Sequence, residues 1–144
     1  MTQVSRRPLD KDVEGRIYES FYKAIGLLNE KEARAFINDL LTPTEKIMLP
    51  KRLAVAILLA QGWNYDAIRE TLKVTQTTVS SVYKTLAFSG GLKLAILKLS
   101  KNQAWQKWWQ DVESLLYRLS SPAKVFMDEG AIRHKLGLKK KTLV

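Results

Sequence analysis

The chain has 144 residues, 46% hydrophobic and 26% charged, which suits about one globular domain with a real core. Twenty-four Lys and Arg against 14 Asp and Glu leave a net charge of +10, which favours an anionic partner. With no cysteine and one histidine, His134, the composition excludes a disulfide framework, a thiolate metal site, a thiol nucleophile and a histidine-rich metal cluster.

Residues 1–9 read as an arm ending near Pro8. Its two arginines are followed by no apolar stretch, so a signal peptide is not expected and the chain reads as cytoplasmic. Asp10 or Asp12 can cap a first helix to about Leu28, with Val13, Ile17, Phe21, Ala24, Ile25 and Leu28 on one face. Asn29 and Glu32 form a capping-box pattern that opens a second helix through Leu41. Thr42-Pro43-Thr44-Glu45 is a further start signal, for a third helix to about Gln61, ended by Gly62. Pro50 predicts a kink or a break within it, because proline lacks an N–H and crowds the preceding turn. The longest apolar run, Leu53 to Ala60, is eight residues and too short to span a bilayer, so no membrane partner is expected.

Asn64 and Thr75 can each cap a short helix, the second stopping near Phe88 before Gly90-Gly91. A short apolar helix, Leu92 to Leu99, follows. Asn102 can then cap a longer one to about Leu119, carrying Trp105, Trp108, Trp109, Val112, Leu115, Leu116 and Leu119 on one side. Helical spacing makes that tryptophan cluster core or dimer contact rather than a platform for stacking bases. Ser120-Ser121-Pro122 ends the helix. The remainder reads as a short helix and a basic end, Lys139-Lys140-Lys141, for which two readings stay open: a solvated tail, or a source of added non-specific DNA affinity. No strand pattern or internal repeat is present, and the expected fold class is all-α.

Asn64 to Lys84 has the pattern of a helix-turn-helix. Ile68 and Leu72 lie on one face of its first helix, Val79 and Val82 on one face of its second, and Val74 plugs the corner. The second helix turns outward Gln76, Thr77, Thr78, Ser80, Ser81 and Lys84, groups able to reach base edges and phosphates. Thr75, Gln76 and Thr77 open it, where backbone N–H groups favour phosphate. Lys84, Lys73 and Arg69 are phosphate candidates. Two positions depart from the usual motif: Arg69 stands where a small residue is common, and Lys73 stands at the turn in place of glycine. The competing reading is a helical hairpin inside an unrelated bundle. Local charge favours DNA: residues 1–40 hold seven charges of each sign, whereas residues 41–100 hold eight basic and three acidic. Residues 101–144 hold nine and four.

The stretch LLTPTE (Leu40 to Glu45), Lys51-Arg52, the helix-turn-helix, and GGLKLA (Gly90 to Ala95) resembles the Trp repressor superfamily over residues 30 to 100. Within it the chain looks more like the branch of Trp-repressor-like regulators. The resemblance implies a Trp-repressor-like helical bundle at residues 1–100 and a C-terminal helical extension with a basic tail at residues 101–144. It also implies an intertwined homodimer that binds double-stranded operator DNA. The family's tryptophan pocket carries over in part. Thr42 and Arg52 match pocket residues, but Ser81 and Val82 stand where Trp repressor has arginine and glycine. Val82 would project into the indole space and Ser81 brings no cation. The resemblance therefore implies a regulator that does not use tryptophan, with any other small-molecule effector unknown; for Arg52 the alternative is a solvated or phosphate-facing residue.

No paired carboxylates, nucleophile–base pair or phosphate-cradling glycine loop is found, so no catalysis, cofactor or metal is expected. On the residues alone two other classes stay open: a helical protein-interaction module using the helix-turn-helix only as scaffold, and an RNA binder.

Overall fold

The computed structural model describes residues 7–119, which form seven helices and no strand. The fold class is all-α, with a helix-turn-helix and an additional C-terminal helix. The readings for residues 120–144, including the basic end, lie outside the described residues. The chain divides into two compact units at Lys46–Ile47.

In the first unit, α1 spans Lys11–Leu27 and α2 spans Glu30–Leu40. Asp10 caps α1, its carboxylate accepting the Asp12 N–H at 3.0 Å. Asn29 and Glu32 complete the capping box at 3.0 and 2.9 Å, each side chain accepting the other's backbone N–H. These caps satisfy donors that the first turn leaves without partners. Neither helix contains a buried residue, although Val13, Ile17, Tyr18, Phe21, Tyr22 and Ile25 line α1.

Helix α3, Pro43–Ala60, starts in the first unit and supplies the centre of the second. It continues unbroken through Pro50, so the expected break does not occur. The six residues Val55 to Ala60 are all buried, which requires apolar side chains around the whole circumference. Helices α4 (Tyr65–Leu72), α5 (Gln76–Phe88), α6 (Gly90–Lys101) and α7 (Gln103–Leu119) share this core through Ala67, Ile68, Val79, Val82, Leu86, Ile96 and Trp109, joined by Trp63 from the segment before α4.

Gly90 and Gly91 open α6 instead of preceding it; a single extended residue, Ser89, makes the break from α5. First-turn N–H groups have no acceptor within the helix, so there is less hydrogen bonding there for glycine to weaken. The side of α7 divides in two. Trp109 is buried and Trp105, Val112, Leu116 and Tyr117 pack on the core, while Trp108, Leu115 and Leu119 are 56%, 59% and 70% exposed.

Candidate DNA interface

The helix-turn-helix is built from local caps and a few buried anchors. Asn64 caps α4 by accepting the Ala67 N–H at 2.8 Å, and Ala67, Ile68 and Thr71 bury its inner side. Lys73 ends the helix in the left-handed region, φ 53° and ψ 52°, and both it and Val74 donate their N–H to the Arg69 carbonyl. A side chain in that region costs free energy that glycine avoids. Leu72 and Val74 pack against the core at the corner. Thr75 then caps α5, its hydroxyl accepting the Thr78 N–H at 3.2 Å. Val79, Val82 and Leu86 follow at i, i+3 and i+7, all buried, and fix which side of α5 faces inward.

The outward side follows from the same period. Thr77, Ser80, Ser81 and Lys84 fall opposite those three anchors; Thr77, Ser81 and Lys84 are exposed and Ser80 is half-buried. Gln76 is exposed at the first position of the helix. Thr75 and Thr78 are occupied with each other, hydroxyl to hydroxyl at 3.0 Å, besides the cap bond. Lys73 is exposed beside this end of α5, and no acidic residue lies in its first turn. The positive end of the helix dipole is therefore not offset by a carboxylate there. Arg69 sits differently. It is half-buried on α4, paired with Asp66 at 3.1 Å, and borders a shallow hollow lined by Asp66, Glu70 and Val74.

A brace between the two helices has no counterpart among the residues singled out from the sequence. The rings of Tyr65 and Tyr83 meet edge-on with centroids 5.9 Å apart, and burial raises the Tyr65 hydroxyl above its ordinary pKa. The signal was the spacing, since Tyr83 follows Val79 by four on α5. Such a tilted pair is a favoured ring geometry.

A family model described as Trp repressor protein matches residues 18–101. The chain belongs to the Trp repressor family. No curated protein and no solved structure gives a significant match to it. Membership in the Trp repressor family points to a DNA-binding regulator, and the matched stretch runs from within α1 to the end of α6. Helix α7 lies beyond it.

Each position expected from the resemblance to belong to an effector pocket is described by itself. Thr42, before α3, is engaged with Glu45: its hydroxyl donates to the Glu45 carboxylate at 2.8 Å and accepts the Glu45 N–H at 3.4 Å. The Thr42 backbone N–H also donates to that carboxylate at 2.8 Å, and these bonds, the backbone one first, hold Glu45 below its ordinary pKa. Arg52 is exposed on α3 in the other unit. Val82 is 2% exposed within the core, and Ser81 beside it is exposed. Among the described residues no group of acidic or histidine side chains could hold a metal, and no helix is long and apolar enough to cross a membrane.

Proposed function

We propose that this chain is a cytoplasmic transcriptional regulator, a repressor by its family, that reads a near-palindromic operator as a homodimer and is not an enzyme. The observation that carries the reading is the outward side of α5. It combines an amide, small hydroxyls and a cation with an acid-free helix start, on a helix anchored by Val79, Val82 and Leu86. Two such helices in successive major grooves would read two half-sites. Gln76 is assigned to adenine, and Thr77, Ser80 and Ser81 to base edges or backbone. Lys84, Lys73 and Arg69 are assigned to phosphate, with Thr75 and Thr78 supporting the helix start.

Dimerisation is supported by α1 and α2, whose apolar faces contain no buried residue and need cover. Tryptophan is not proposed as the corepressor. Val82 is part of the core, and Ser81 supplies no cation for a carboxylate. The competing reading, a helical interaction module, draws on the exposed Trp108, Leu115 and Leu119 of α7.

Selection of bound duplexes from a random pool, followed by salt titration against operator and scrambled duplex, decides between them. A palindromic consensus supports both DNA reading and dimer symmetry. Lys84→Ala is expected to weaken binding to every sequence and lower the salt slope by about 1. Gln76→Ala is expected to lose about 1–3 kcal/mol of discrimination at one or two positions. Equal, weak binding of both duplexes favours the interaction module.

A further inference from the structure

Helix α7, outside the stretch matched by the family, packs one row of side chains against the elbow where α3 gives way to the helix-turn-helix. That elbow is three residues long. Gln61 follows the end of α3, Gly62 turns the chain with φ 90°, and Trp63, 2% exposed, leads into the Asn64 cap of α4. The direction in which α4 leaves α3 is decided there. Trp109 Nε1 donates to the Gln61 side-chain oxygen at 3.4 Å, and Gln61 Nε2 donates to the Glu113 carboxylate at 3.3 Å. Tyr117 lies against Trp63 with ring centroids 4.9 Å apart. Trp109, Glu113 and Tyr117 recur every four residues, so they form a single row on one side of a rigid helix.

We propose that α7 is a resident clamp on this elbow, with Trp109, Glu113 and Tyr117 acting as positioning residues for the DNA-reading side of α5. It holds Gln61 and Trp63, these set the start of α4, and α4 carries α5 through Ile68 and the Tyr65–Tyr83 brace. Ordering of the reading head is thus supplied by the chain's own helix, and a partner or modification that lifted α7 would loosen it.

The inference about operator binding rests on the function proposed above, whereas the clamp itself can be read in the free protein. The test uses the full chain and its Glu113→Ala, Tyr117→Ala and Tyr117→Phe variants. Amide hydrogen exchange is followed across α4, and affinity is measured for the selected operator and a scrambled duplex. Both alanine variants should speed exchange in α4 by about tenfold with helical content retained. Their affinity for operator should fall by about tenfold, the loss of one well-aligned base contact, with the scrambled duplex bound as before. Tyr117→Phe, which keeps the ring on Trp63, should restore both readouts.

Unchanged exchange in α4 overturns the clamp whatever the DNA results. Equal loss of operator and scrambled binding, together with helical content, overturns it as well, because that is general destabilisation. A parent chain that does not discriminate operator from scrambled duplex sinks the operator reading instead, and the exchange result still decides the clamp.

Discussion

The two units of the chain use apolar side chains in opposite ways. Residues 47–119 enclose a core, in which Val55, Leu58, Leu59, Ile68, Val79 and Leu86 are fully buried. In residues 7–46 the helices are capped just as well, yet Ile17, Tyr18, Phe21 and Tyr22 stay exposed. Capping satisfies backbone groups at the ends of a helix, whereas most helix stability in proteins comes from packing an apolar face. The second unit holds a core of its own; the first leaves its apolar faces exposed, and the proposed dimer would cover them.

The largest expected effect falls in the second unit. Leu58→Ala, at a fully buried position, should cost about 3 kcal/mol in urea unfolding, and by the same amount at low and high protein concentration. A cost that grows with dilution would mean that this core too depends on a partner. Next comes Phe21→Asp in α1, which should raise the dimer dissociation constant at least about tenfold, roughly 1.4 kcal/mol, in sedimentation experiments. Should this variant sediment like the parent, the contrast between the units loses its proposed explanation.

Lys73→Gly tests the turn inside the second unit. Relief of the left-handed backbone at φ 53° should stabilise the chain by about 1 kcal/mol in thermal unfolding. The same variant should weaken binding to all duplexes if Lys73 faces phosphate, which separates the two effects of this side chain. The smallest effect concerns Glu45. Its folded pKa lies below the ordinary value of 4.5, so its bonds to Thr42 stabilise the start of α3 above that value. The contribution is lost as pH falls from there through the folded value. Circular dichroism through that acid range should show a step that Glu45→Gln lacks; identical profiles would remove the carboxylate from the account.

Local features were the most legible. Asp10, Asn29, Asn64, Thr75 and Asn102 all act as caps where the spacing predicts them, the last by accepting the Trp105 N–H at 2.9 Å. Each is a hydrogen bond within three residues, so its determinants lie in a short window. The buried anchors of the helix-turn-helix were legible for the same reason, since their spacing is the helix period. The outcome at Pro50 was less so: its missing N–H allows a kink or a break, and α3 runs through it without a break. The row Trp109–Glu113–Tyr117 also escaped, because the apolar pattern of α7 directs attention to tryptophans and leucines. Glu113 and Tyr117 matter through Gln61 and Trp63, about fifty residues earlier.

By itself the sequence determined the all-helical class, the starts of the capped helices, the inward anchors of the helix-turn-helix and the family. All of these rest on spacings within one or two turns, or on a pattern of such spacings along the chain. Only the tertiary structure decided which half of the chain owns a core, which side of α7 is enclosed, and what holds the start of α4. Those outcomes depend on which distant side chains fill the same space, and close packing settles that only once all the helices are in place. The same logic separates Val82 from Ser81: adjacent in sequence, one is enclosed in the core and the other faces outward on the polar side of α5.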